Sequence, residues 1–219
     1  RTARGIDERC PTLPQLHLGG TIPHRKNLLV TPQAGLTPGA LTCDFAGTAP
    51  GASFSIAAYR NWFDDFIYLA QNGEEEDELP VYVFLQQDAT YYGVEAELAV
   101  PFVESDTFSL LGEASAEYVK AELADGSPVP RIPPLGLTGA LTAKTGPFEV
   151  RGEVQYFGKQ DDVPAFESTT DAFTYVNASV AWRPLRGNEN VTLLAKVDNI
   201  FDVEGRRATS FTRDFIPMA

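Results

Sequence analysis

Glu74-Glu75-Glu76-Asp77-Glu78 is the densest run of charge in the chain. Hard cations favour carboxylate oxygens, and such a run also concentrates cationic chelates around it; a solvated loop tip is the plainer reading. Near the carboxyl end, Arg206, Arg207 and Arg213 offer guanidinium forks that suit a carboxylate or a phosphate, although Asp202, Glu204 and Asp214 stand by to pair with them. A third set is spread more widely: Glu95, Glu97, Glu113, Glu117, Glu149 and Glu153, with Arg151 among them. A solvated ion-pair network is the first expectation for these, and a direct part in moving a ligand the second.

Catalysis has little to work with. The two histidines, His17 and His24, both lie near the amino end, so the rest of the chain has neither the base of a Ser/His/Asp triad nor a three-His metal site. There is no phosphate-cradling glycine loop and no dinucleotide fingerprint. The expectation is a protein that binds rather than catalyses, with no catalytic residue, cofactor or metal site.

The carboxylates of the third set recur at alternate positions, and that periodicity identifies the elements that carry them. In 88–102, Tyr92, Val94, Ala96, Leu98 and Val100 alternate with Gly93, Glu95 and Glu97. In 107–120, Phe108, Leu110, Ala114, Ala116 and Tyr118 oppose Ser109, Glu113, Ser115 and Glu117. In 147–159, Phe148, Val150, Val154 and Tyr156 oppose Glu149, Arg151, Glu153 and Gln155. A period of two means strands with one oily and one polar face. Segments 52–70, 135–145, 173–183 and 191–199 follow with more scatter, which gives about seven strands by the alternation rule.

The connectors run long (72–87), short (103–106), long (122–134), short (145–147), long (160–171), then intermediate (184–190). Short turns at one end and long polar loops at the other are the habit of an outer-membrane barrel. Aromatics at the ends of the oily faces (Tyr92 and Phe102, Phe108 and Tyr118, Phe148 and Tyr156) fit interfacial girdles. A soluble sandwich or lipocalin-like barrel alternates in the same way, but it would turn its oily residues inward.

Composition sets limits on function. With 30 acidic and 17 basic residues the formal charge is −13, and no basic stripe is present to neutralise phosphates, so nucleic acid is not an expected partner. No stretch nears the roughly 18 apolar residues of a membrane helix. Residues 1–51 differ from the rest: they hold both cysteines, Cys10 and Cys43, and only Phe45 among the aromatics. With no sustained period there, 1–51 is expected to be an atypical segment, loop-like or poorly ordered, and 52–219 the folded part.

Four phrases, in order, resemble the carboxy-terminal part of the β-barrel of TonB-dependent outer-membrane receptors. They are AAYRNWFDDFIYLAQ (57–71), LPVYVFLQQDATYYGVEAEL (79–98), PRIPPLGLTGAL (130–141) and VDNIFDVEGRRATSFTRDFIP (197–217). The resemblance makes Asn199-Ile200-Phe201-Asp202 a family motif and turns the carboxylate face, with Arg151, toward a lumen. It implies an all-β, antiparallel transmembrane barrel segment, incomplete, from a parent of about 22 strands. On the same ground the chain is a partial barrel without plug or last strand, in the outer membrane of a Gram-negative bacterium. The implied partners are outer-membrane lipid, a small nutrient such as a metal chelate, siderophore, cobalamin or sugar, and the TonB complex acting through the parent's plug. A passive porin-like channel, or a soluble ligand-binding barrel, is the alternative.

Overall fold

The computed structural model describes residues 29–37, 40–49, 51–77, 79–185 and 191–210. Among these there is no helix, and nine strands form one antiparallel sheet. They are β1 (Leu29–Thr37), β2 (Ala40–Ala49), β3 (Ala52–Glu76), β4 (Leu79–Glu104), β5 (Phe108–Leu123), β6 (Gly136–Thr145), β7 (Phe148–Phe157), β8 (Phe173–Trp182) and β9 (Leu193–Val197). Each strand pairs with its sequence neighbours, and β1 and β9 are the two edges of an unclosed sheet.

All seven alternating segments are strands, with β9 on 191–199 the shortest. The two additional strands lie within 1–51, where a loop-like segment was expected. On β2, Leu41, Cys43, Phe45 and Gly47 pair with Arg60, Ala58, Ile56 and Phe54, while Thr42, Asp44, Ala46 and Thr48 pair with the other face of β3. The alternation is present but short, and small residues make it faint. Cys43 is disulfide-bonded; Cys10, His17 and His24 lie outside the described residues.

The connector expected over 72–87 is mostly strand. β3 and β4 run on as a two-stranded ribbon to a tip at Asp77, well past Asn61, where pairing with β2 stops, and Ala89, where pairing with β5 stops. At the base of the ribbon the register shifts between Phe63 and Phe66, and Asp65 adopts a φ of 55°. This bulge is capped by Asp88, whose Oδ1 accepts the Asp65 N–H at 2.9 Å.

Register places the side chains on two faces. Leu98, Ala114, Gly139, Val154 and Val176 form one cross-strand row of the apolar face. Near the short turns, Phe108, Thr145, Phe148 and Trp182 form another, with Phe148 and Trp182 stacked at 6.1 Å. β6, β7 and β8 have 10 residues each, within the ~9–11 that cross a bilayer when tilted. The apolar face is bare: Leu141 is 52%, Val154 46% and Val150 45% exposed. Each such side chain forgoes about 1.5–3 kcal/mol relative to burial, so the face calls for an apolar surrounding.

The small core lies on the polar side, at the long-loop end. Ala89, Ala121, Leu123 and Val129 cluster with Phe66, Tyr68, Tyr91 and Ile132, because the connector after β5 folds back across β4 and β5. Val129 N–H donates to the Ala121 carbonyl at 3.0 Å and pins it there.

Candidate functional site

The predicted carboxylates share the polar face, as their alternation requires. Glu95 and Glu97 stand on β4, Glu113 and Glu117 on β5, and Glu149, Arg151 and Glu153 on β7. Arg151 gathers part of the set: it pairs with Glu113, reaches Glu153 at 3.1 Å and donates to the buried Thr142 hydroxyl at 3.1 Å. Glu153 also accepts from Asn177 at 3.1 Å and from Gln155 at 2.8 Å. Glu149 stands apart, with Lys144 at 3.3 Å and Arg183 at 3.4 Å.

Glu95 and Glu117 are direct cross-strand partners, two like charges side by side. No basic side chain among the described residues lies within ion-pair reach of either. Tyr59 from β3 lies beside them with its ring across Gly93. Glu97, Glu113, Arg151, Ser55, Ser115 and Thr138 help to line a basin of about 460 Å³ on this face.

The long connectors all leave the same end and are tied together. Gln160 forms a two-bond bridge with Thr170 at 2.9 and 3.0 Å, and its side chain donates to the Ile132 carbonyl at 2.9 Å. Arg131 N–H donates to Glu167 at 3.1 Å, and Lys120 joins Glu122 at 3.0 Å to Asp162 at 3.2 Å. A recess of about 270 Å³ opens here between Phe66, Tyr68, Phe84, Tyr91, Val129 and Arg131. In the turn after β5, Asp125 accepts the Ser127 hydroxyl at 2.6 Å and its N–H at 2.9 Å. The hydroxyl bond is the main cause holding this exposed carboxyl below the ordinary aspartate range, and the backbone bond adds to it.

Glu74, Glu75, Glu76 and Asp77 form the exposed tip of the ribbon, where Asn72 brackets Glu74 through two bonds of 2.9 Å. Among the described residues, no cluster of three or more His, Cys, Asp or Glu is placed to hold a metal ion. Glu78, Arg213 and Asp214 lie outside the described residues.

Asn199, Ile200, Phe201 and Asp202 make the turn that follows β9. Asn199 and Asp202 both have a φ of 51°, a region in which Asn and Asp are the non-glycine residues of choice. Asn199 N–H donates to Asn177 at 2.9 Å, while its side chain accepts from Val203 N–H at 2.9 Å and donates to the Val203 carbonyl at 3.1 Å. The chain then crosses the polar face. Gly205 abuts Phe173 and Tyr175, so that an added Cβ would stand 2.4 Å from the Tyr175 hydroxyl. The Arg207 guanidinium lies 4.8 Å from the Phe157 ring centroid, and both Arg206 and Arg207 are exposed. Sequence reasoning missed Asn177, Tyr59 and the Phe157–Phe173–Tyr175 cluster. The alternation of β3, β7 and β8 was the available signal, since each falls on the carboxylate register.

Residues 41–200 match the family model described as "TonB dependent receptor-like, beta-barrel". Among solved structures, the copper transporter OprC aligns with a TM-score of 0.67 and 19% identity, over 81% of this chain and 28% of that one. The closed form of the ferric-catecholate import receptor Fiu from E. coli K12 aligns at 0.47 and 18%, over 76% of this chain and 24% of Fiu. At such identities the likeness to OprC speaks for the fold, and this chain spans 28% of OprC's length. No curated protein matches by sequence.

Proposed function

The chain belongs to the TonB-dependent receptor β-barrel family, and from that membership we propose that it is part of the wall of an outer-membrane receptor for energised uptake of a scarce nutrient. The ligand is a small metal chelate, siderophore, cobalamin or sugar. In this reading the apolar face meets outer-membrane lipid, and the polar face lines a lumen in which Glu95, Glu97, Glu113, Glu117, Glu149, Arg151 and Glu153 contact a plug. The long loops face outward, where Glu74 to Asp77 and Arg206 and Arg207 meet the arriving ligand. Energy comes from the TonB complex through the parent's plug.

One observation carries this reading. The long connectors fold back over the polar face, through Val129 onto Ala121 and through Gly205 onto Tyr175, while the apolar face is left bare above the row of Phe108, Phe148 and Trp182. A soluble barrel would cover its oily face instead.

The test is to express the full-length parent gene in a Gram-negative host and measure uptake of labelled chelates, with and without TonB. Uptake that requires TonB, by a protein recovered in the outer membrane with heat-modifiable mobility, is the expected result. Equal uptake without TonB would make it a passive channel. Recovery as a folded protein without detergent would overturn the membrane reading altogether.

A further inference from the structure

We propose that the segment 198–210 is a strap whose closure over the polar face is set by the charge state of the basin beside Arg151. Glu113 and Arg151 line that basin, and a continuous path of polar contacts leads from them to the strap. Arg151 bridges Glu113 to Glu153; Glu153 accepts from Asn177; Asn177 accepts the Asn199 N–H; and Asn199 holds Val203 in both directions. Three strands and one turn are joined this way.

The far end of the strap is held differently. Gly205 sits against Phe173 and Tyr175, Arg207 lies over Phe157, and Ala208 is 2% exposed. These contacts, packing and a guanidinium over a ring, are made by residues other than those of the polar path. The strap thus has one anchor at the end of the path from the basin and one that stands off that path. A charged group entering the basin competes for Arg151 or Glu113. Glu153 then repartitions between Arg151 and Asn177, and the hold on Asn199 changes with it. The amino-terminal half of the strap loosens while the half over Phe157, Phe173 and Tyr175 stays seated. As regulation of the lumen, this rests on the receptor reading given above.

The experiment is amide hydrogen exchange on the full-length parent protein in detergent, read over 198–210. Glu113→Gln, which touches no strap atom, and Asn177→Ala are each expected to speed exchange at Ile200 to Val203 by about three- to tenfold, as local opening gains population. Glu149→Gln, on the same strand face but paired with Lys144 and Arg183, leaves it unchanged. An effect of Asn177→Ala without one of Glu113→Gln would reduce the path to a local clamp and overturn the proposal. An equal effect of Glu149→Gln would do the same. Where a variant fails to fold, millimolar methylguanidinium on the wild type replaces it, against sodium chloride at equal ionic strength; no difference between the two salts is again fatal. Loss of TonB-dependent uptake would sink the receptor reading while leaving these exchange rates intact.

Discussion

The phenol of Tyr59 lies over the α-carbon of Gly93, so that a β-carbon there would stand 2.6 Å from the hydroxyl oxygen and 2.6 Å from the Tyr118 carbonyl. A glycine inside a strand usually weakens it, and here it provides the floor on which an aromatic ring rests. Gly93→Ala is expected to destabilise the parent protein by about 1–3 kcal/mol, the usual range for overpacking. Urea unfolding followed by heat-modifiable mobility is the measurement. Adding Tyr59→Ala relieves only part of the loss, because the Tyr118 carbonyl is backbone and cannot swing away. Full recovery in the double variant would show that the backbone contact carries no cost.

Val154 and Gln155 are neighbours that face opposite ways. Val154→Arg is expected to cost about 2–4 kcal/mol, the range for a basic residue on the lipid face near mid-membrane. Gln155→Arg is expected to be nearly neutral, since Glu153 is already within reach of that side chain. Comparable losses from both, in folding assays into lipid vesicles, would contradict the assignment of faces.

Asn199 combines a φ of 51° with caps on Val203. Asn199→Gly keeps the conformation and loses the caps. Asn199→Ala loses both and is expected to be worse than glycine by about 1 kcal/mol, the penalty of the left-handed region for an L side chain. Limited proteolysis within 198–210 ranks the three proteins. Equal rates for alanine and glycine would mean that the backbone conformation is not under strain.

Asp125 gives a pH dependence whose sign is fixed by its partner. A carboxyl held below its unfolded value stabilises its turn at pH above the ordinary aspartate range, and that contribution disappears as pH falls through the lowered folded value. Local order over 124–128 should therefore survive mild acid and fade only at pH below the ordinary aspartate value of about 3.9. Ser127→Ala is expected to move the midpoint upward, as read from the Asp125 carboxyl shift in an NMR titration. An unmoved midpoint would exclude the hydroxyl as its cause.

Much of this was legible in the sequence because a sheet with one wet and one oily face writes its register into alternate residues. Glu113, Arg151 and Glu153 could be placed together on one face from spacing alone. Their partner Asn177 could not, since it reads as one polar residue in a strand of small and apolar ones. Residues 72–87 looked like a loop because a ribbon with both faces solvated loses the contrast on which periodicity depends. β2 was obscured for a related reason: Cys43 and Gly47 stand on its apolar side and Ala46 on its polar side, and small residues blur both. The strap over Phe173 and Tyr175 was out of reach, because Gly205 marks itself only against rings 30 and 32 positions earlier in the chain.

The β3–β4 ribbon has a mechanical consequence. Residues 66–76 and 79–87 pair only with each other among the described residues, and they rise from a bulge held by two side chains, Asp88 on the Asp65 N–H and Gln86 on the Asp65 carbonyl. Phe66 and Tyr68 pack on the core at its base, so the free arm is residues 69–76, about 26 Å at roughly 3.3 Å each. A tilt of about 10° just above Tyr68 would sweep the acidic tip through about 5 Å, so modest thermal play there becomes a wide search at Glu75. The ribbon is a lever with its fulcrum at the rim, and its length multiplies the volume of solvent that the carboxylates can sample.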